Sequence, residues 1–349
     1  MQHRLLQWLA CPACENDDLV LETTKTSTEP SFPSSWEEGE QELPGISEDG
    51  TERTEVLEGA LHCSECSRVY PIKGGIPRLI LDDTDPSPAS GHRWTRFDGT
   101  IPEYEDNFQD MSHPLGPESY LGKLVLDAGC GFGRHAFFAA RYGAEVIAMD
   151  VAPDAVASAR ENTQHLQRVH VVQGDVLRPP LRRSAMELVY SFGVLHHLAD
   201  PRTAFRSLST LVRAGGQLQV WAYGPRAGSA AVVSGALRGA AASMDDDSLH
   251  SLSRGLASTL RLFSHTPYRF MRHIPGGRSV VSHLPAHDHH KWPFEVVVAD
   301  IYDRLRIPVL HTIPGEDLET WFVDQGFLDI RVSRRVRNSE SFRGIGTRR

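Results

Sequence analysis

Leu124-Val125-Leu126-Asp127-Ala128-Gly129-Cys130-Gly131-Phe132-Gly133 is the stretch that decides the fold of this 349-residue chain. Its apolar start, bounded by Gly122, reads as a short buried strand that runs into a glycine loop. Arg134 to Tyr142 then reads as a helix, stopped by Gly143 in the position that favours a left-handed residue. Glu145-Val146-Ile147-Ala148-Met149 follows as a second strand and ends in Asp150. Strand, glycine loop, helix and acid-tipped strand make a nucleotide-type βαβ unit. A dinucleotide fingerprint would need Gly or Ala at the sixth position from Gly129, and Arg134 stands there instead. The carboxylate of Asp127 beside the loop would repel a pyrophosphate and welcome a cation.

The next residues repeat the pattern. Asp150 lies 23 positions after Asp127, where a carboxylate can accept hydrogen bonds from two vicinal ribose hydroxyls. Pro153 to Asn162 reads as a helix with proline in its first turn. Val169 to Val172 reads as a third strand followed by Gly174-Asp175-Val176, and Leu188 to Ser191 as a fourth that leads into Phe192-Gly193-Val194-Leu195-His196-His197. Asp200-Pro201 caps a helix with Ala204, Phe205, Leu208, Leu211 and Val212 at helical spacing. Arg213 to Gly216 reads as a turn, and Gln217 to Tyr223 as a strand.

From Leu124 to Tyr223 this order resembles the class I S-adenosylmethionine-dependent methyltransferases. The phrases "VLHHLADP" and "LVRAGG" are similar to the branch that acts in ubiquinone and menaquinone biosynthesis. The resemblance implies an α/β fold, a doubly wound, seven-stranded, mostly parallel sheet ending in a reversed strand. It also implies an enzyme that binds S-adenosylmethionine through Asp127, Gly129, Cys130, Gly131, Gly133, Asp150, Val151, Asp175, Val176 and Ser191. In that family the acid matching Asp175 accepts from the adenine amino group, and its apolar neighbour packs on the ring.

Four of the five cysteines form two C-x-x-C pairs, Cys11 with Cys14 and Cys63 with Cys66. Two such knuckles can converge four thiolates on one structural Zn²⁺; a redox dithiol would need only one pair. The flanking Leu5-Leu6-Gln7-Trp8-Leu9 and Tyr70-Pro71-Ile72-Lys73-Gly74-Gly75-Ile76-Pro77 resemble the small zinc-ribbon activator of tRNA and protein methyltransferases. Residues 1–81 are therefore expected to form a zinc-ribbon domain. Within it, about 23–58 is expected to be a low-complexity insertion of loosely ordered chain, rich in Ser, Thr, Glu and Pro.

Residues 82–120 read as a linker and cap, and 121–349 as the methyltransferase domain. Residues 224–308 show no strand alternation and read as a helical lid over the strand ends. Gly315 to Gln325 reads as a helix, and Phe327 to Val336 with Ser341 to Thr347 as a closing hairpin.

Charge narrows the acceptor. Residues 1–60 hold fourteen acidic and three basic residues, a local charge of −11, so the total of −9 leaves +2 for the rest. A body so nearly neutral lacks a track for a phosphate backbone, although seven Arg fall between Arg331 and Arg349. The loop Ser191-Phe192-Gly193-Val194 lacks the Asn-Pro-Pro-aromatic or acidic sequence that grips planar amino groups. A small-molecule acceptor is expected, with a tRNA or protein methyltransferase, or a non-catalytic cofactor-binding regulator, as the alternatives. His196 and His197 are candidate general bases at the strand ends. His287, His289 and His290 with Asp288 suggest either a metal site or a substrate-lining loop. No run of 18 apolar residues is present, so neither a spanning helix nor a membrane partner is expected. The weak N-terminal apolar run points to a cytoplasmic protein. Oligomeric state is not legible.

Overall fold

In a computed structural model, which describes residues 1–29, 53–82, 84, 103–225, 235, 237–241, 243–284, 286–306, 311–334 and 341–349, the N-terminal segment forms a four-stranded antiparallel sheet. Its strands are β1 (Leu19–Glu29), β2 (Arg53–Cys63), β3 (Val69–Lys73) and β4 (Ile76–Pro77), paired in chain order. Residues 23–29 and 53–58 thus correct the expectation of loose chain, because β1 and β2 pair from Leu19↔Cys63 to Glu29↔Arg53. The Thr/Glu-rich run is a polar ladder, in which β-branched threonines suit the pleat while giving no hydrophobic signal. The remainder of the expected insertion, 30–52, lies outside the described residues, as does most of the 82–102 linker.

Helix α1 (Glu103–Ser112) precedes β5 (Leu124–Ala128), α2 (Arg134–Arg141), β6 (Glu145–Asp150), α3 (Pro153–Thr163), β7 (Val169–Gln173), β8 (Met186–Phe192), α4 (Pro201–Ser209) and β9 (Val212–Tyr223). Residues 213–216, expected as a turn, belong to β9. The strand absorbs Gly215 (φ +74°) at a register shift opposite Met186 and Leu188, as bulged strands do. Helices α5 (Asp246–Leu260), α6 (Thr266–Met271), α7 (Gly277–Val281) and α8 (Phe294–Arg306) follow, with a π-turn at Arg261–His265 between α5 and α6. The chain closes with α9 (Gly315–Asp324), β10 (Phe327–Arg334) and β11 (Ser341–Arg348).

The seven-stranded sheet runs β10-β11-β9-β8-β5-β6-β7, with only β11 reversed. Central β5 lies between β6 and β8, so the strand order switches beside the glycine loop. Open α/β sheets bind ligands at such a point. Contacts divide the chain into two compact units. One holds Met1–Gly224, Leu310–Arg335 and Ser339–Arg349; the other holds Pro225–Val309 and Val336–Asn338. Ribbon and sheet share the first unit. Their buried side chains form one cluster that runs from Leu5, Leu9, Leu61 and Ile72 through Leu181 and Val172 to Leu126 and Val189.

Candidate functional site

Two chemically different sites lie in the first unit. In the ribbon, the Sγ atoms of Cys11, Cys14, Cys63 and Cys66 all lie within 4.8 Å of one another. Cys11 and Cys66 are 3.6 Å apart, and Cys14 and Cys63 3.5 Å. A tetrahedral shell with Zn–S bonds of about 2.3 Å sets its sulfurs about 3.8 Å apart, so this donor set suits a structural zinc. The two knuckles are built alike. Glu15 donates its amide to Cys11 O (2.8 Å), and Ser67 donates to Cys63 O (3.1 Å). Each of these fourth residues on takes a left-handed φ, 62° and 58°.

Burial pushes the Cys11 thiol up, but the Tyr70 hydroxyl 3.0 Å away and the amides of Ala13 and Cys14 outweigh it and bring it down to about 7. At Cys14 the Asn16 amide opposes the rise. Desolvation and the neighbouring sulfurs prevail and push that thiol up to about 12. Four crowded thiols resist a second negative charge unless a cation joins them.

At the sheet's switch point, Gly129 takes φ +86°, and a Cβ there would meet Val194 Cγ2 at 2.2 Å. Gly133, at φ +83°, caps α2 and lets Ala159 of α3 approach to 3.2 Å of where its Cβ would stand. These glycines are therefore required by backbone shape and packing. The amides of Gly129 and Cys130 both donate to Met149 O, which ties the loop to β6. Cys130 buries its side chain and its thiol is raised well above normal by burial.

Asp127 is buried, and neither carboxylate oxygen has a hydrogen-bond partner among the described residues. Burial pushes its pKa up to about 8. The Tyr190 hydroxyl and the Ala136 amide, near but outside hydrogen-bonding geometry, offset part of this, while the charge of Asp150 adds to it. A buried carboxyl without a partner at a glycine loop can accept a cationic group.

Asp150 accepts from Gly131 N and Ala152 N, each at 3.0 Å, one per oxygen. A carboxylate offers about four lone-pair positions, and these two amides use two of them. Asp175 is partly exposed, and one of its oxygens accepts from Leu177 N at 2.8 Å. Val176 packs into the main buried cluster, while Val151 stays partly exposed. Ser191 is fully buried and donates to Ala128 O (2.9 Å). Its hydroxyl therefore holds the end of β5.

His196 is also fully buried. The Tyr223 amide donates to its Nδ1 (3.4 Å), so the neutral ring carries its proton on Nε2, which has no partner among the described residues. Burial, then the neighbouring His197, hold its pKa well below normal. With its lone pair engaged, His196 is a hydrogen-bond donor rather than a base. His197 is partly exposed, its ring centroid 4.1 Å from that of His196. The His287–Lys291 turn lies in the other unit. There His289 stacks on Trp292 at 3.9 Å, and among the described residues no metal-binding group forms around it.

Sequence reasoning missed the join between the two sites. Leu9 bridges Leu181, and Arg78 bridges Gln173 in parallel at the edge strand β7. The Leu79 amide also donates to Gln173 O (3.0 Å). The Gln173 side chain accepts from Arg78 (2.9 Å) and donates to Val151 O (2.9 Å), one residue beyond Asp150. It thus relays the ribbon to the candidate ribose site. Arg160 of α3 pairs with Glu55 of β2, and Arg183 with Glu15. The partners lie more than 90 residues apart in sequence, so no local pattern announces them.

Comparison with known proteins fits this geometry. Residues 126–220 match the methyltransferase domain family, and residues 2–75 match the Trm112p-like protein family. The chain resembles a ubiquinone biosynthesis O-methyltransferase of Xanthomonas campestris, 30% identical over 142 residues, covering 39% of this chain and 58% of that protein. It is also similar to a probable S-adenosylmethionine-dependent methyltransferase of Mycobacterium tuberculosis, 35% identical over 154 residues, covering 42% and 55%. The chain thus spans little more than half the length of these relatives. Among solved structures, magnesium protoporphyrin IX methyltransferase from Synechocystis aligns with a TM-score of 0.43 at 14% identity, over 74% of this chain and 93% of that one. One polypeptide thus carries a segment that matches the Trm112p-like protein family and a segment that matches the methyltransferase domain family.

Proposed function

We propose that this protein transfers the methyl group of S-adenosylmethionine to an oxygen, nitrogen or carbon atom of a small molecule, with the ribbon as a built-in brace. The buried, unpaired carboxyl of Asp127 at the glycine loop is the observation that carries this reading. When bound, S-adenosylmethionine supplies an electrophilic methyl on a cationic sulfur, so the protein's main task is alignment. Asp127 would hold the amino group, Asp150 the ribose diol and Asp175 the adenine edge. Cys11, Cys14, Cys63 and Cys66 would hold zinc. His196, as a neutral donor, can orient an acceptor, and proton removal would fall to His197 or solvent.

Two observations support a small acceptor. The loop after β8 lacks an amide-gripping sequence, and the relatives named for ubiquinone biosynthesis methylate oxygen. Residues 224–308, inserted between β9 and α9, are the candidate acceptor-selecting element. The Trm112p-like match at 2–75 favours the second reading, a tRNA or protein acceptor. Incubation with methyl-labelled cofactor and a cell extract separated into RNA, protein and small molecules decides between them. Label in the small-molecule fraction is expected; label in RNA or protein transfers the assignment. In calorimetry, Asp150→Ala should weaken S-adenosylhomocysteine binding about 100-fold or more, since charged hydrogen bonds contribute about 1.5–3 kcal/mol each. Unchanged affinity would remove Asp150 from the site.

A further inference from the structure

Eleven large apolar side chains stand exposed among the described residues, and six of them fall between Leu262 and Val280 in the helical unit. Leu262, Phe263, Phe270, Ile274 and Val280 are between 57% and 72% exposed, and Met271 is 36% exposed. Single exposed apolar residues are ordinary, but such a concentration marks an interaction surface. The local geometry turns them outward together. The π-turn at Arg261–His265 adds a residue to the helical run, so positions eight apart share a side, pairing Leu262 with Phe270 and Phe263 with Met271. Beyond α6, Gly277 comes so close to Met271 O that a Cβ would sit 2.2 Å away. That close approach makes a tight turn, with Ile274 at its tip.

The charge of the same stretch says what it meets. Residues 261–280 contain Arg261, Arg269, Arg272 and Arg278, with no Asp or Glu. Arg269 donates to His290 O (2.8 Å), and Arg272 lies 2.9 Å from His290 Nε2. Those partners are a backbone carbonyl and an imidazole, and among the described residues no carboxylate forms an ion pair with any of the four arginines. Bulky apolar groups that protrude into solvent suit a fluid apolar phase, and arginines beside them suit phosphate groups. Among the described residues no helix is long and apolar enough to cross a membrane, so such a surface would lie on a bilayer, a partner that the lack of a long apolar run in the sequence had argued against.

We propose that residues 261–280 dock the helical unit onto the headgroup region of an anionic lipid bilayer, with Leu262, Phe263, Phe270 and Ile274 entering the interface and the four arginines meeting lipid phosphates. This does not rest on methyl transfer. The test is co-sedimentation of the full chain with vesicles of phosphatidylcholine alone, or of equal parts phosphatidylcholine and phosphatidylglycerol, at low and high salt. Retention should be about tenfold greater on the anionic vesicles and fall with salt. Phe263→Asp with Phe270→Asp should lose about tenfold of it, with the melting midpoint unchanged because both sites are exposed. Should that pair fail to fold, Arg261→Gln with Arg278→Gln is the substitute, expected to lower retention several-fold and flatten its salt dependence. Absence of binding to anionic vesicles overturns the proposal, as does full retention by a folded variant. A dimer in sedimentation velocity that the Phe variant dissociates, without any vesicle binding, would assign the surface to self-association instead.

Discussion

The ribbon and the sheet it borders reach stability by different means. About sixty described ribbon residues contribute a short row of buried side chains, among them Leu5, Leu9, Val56, Leu61, Tyr70 and Ile72. A β-domain of that size rarely folds on its core alone and commonly takes a metal. The sheet, covered on both faces, buries Val125, Leu126, Val146, Ile147, Val172, Leu188 and Val189 almost completely. With that surplus it tolerates a defect, the unpaired carboxyl of Asp127. The ribbon is expected to lean on a metal for its shape, while the sheet spends stability on a buried, unpaired carboxyl.

The contrast breaks most readily at the metal. Cys63→Ser should drop zinc from about one per chain to well below that and lower the thermal midpoint by on the order of 10 °C. Because Gln173 links the ribbon to Val151, S-adenosylhomocysteine affinity should fall with it. Metal analysis, a melting curve and calorimetry on the same preparation check all three. An intact midpoint would mean that the ribbon stands without its metal.

At Asp127 the sign reverses. A carboxyl whose folded pKa is raised to about 8 keeps its proton while the unfolded chain releases it. Its contribution is therefore complete below about pH 4 and is lost as the pH rises through 8, at about 1.4 kcal/mol per unit. Asp127→Asn should melt above the parent at pH 8 without cofactor, converge with it near pH 4, and bind S-adenosylhomocysteine about 100-fold more weakly. A parent whose midpoint stays flat over that range would show that the carboxyl is not strained.

The smallest effect lies at the join. Gln173→Ala removes the hydrogen bonds from Arg78 and to Val151. It should weaken cofactor binding about tenfold and leave zinc content unchanged. Equal loss of zinc would mean that Gln173 holds the ribbon rather than the loop beyond β6.

What could be read in advance follows from how local each signal is. The strands and helices around Asp127, Asp150 and Asp175 lie within one stretch of chain whose apolar periods and glycines speak for themselves. The four cysteines need only their spacing. Strands β1 and β2 escaped because Thr23 to Glu29 forms a polar ladder, with no apolar face to betray it. Gly215 and Gly216 read as a turn because a bulge uses the same residues. Helix α1 did carry a signal, since Tyr104, Phe108 and Met111 stand at helical spacing and are all buried. Gln173, Arg78 and Arg160 had none, since their partners are distant in sequence and their side chains look like ordinary surface.

The join also says something about concentration. Its polar contacts are graded: the Arg160–Glu55 pair is largely buried, while the Arg183–Glu15 pair is exposed on both sides, and exposed pairs are worth up to about 1 kcal/mol. Here one backbone runs through both partners, and a short tether keeps each at an effective concentration of about millimolar with respect to the other. Every copy of the sheet is then made with its own ribbon, in strict one-to-one number, and never has to compete for it.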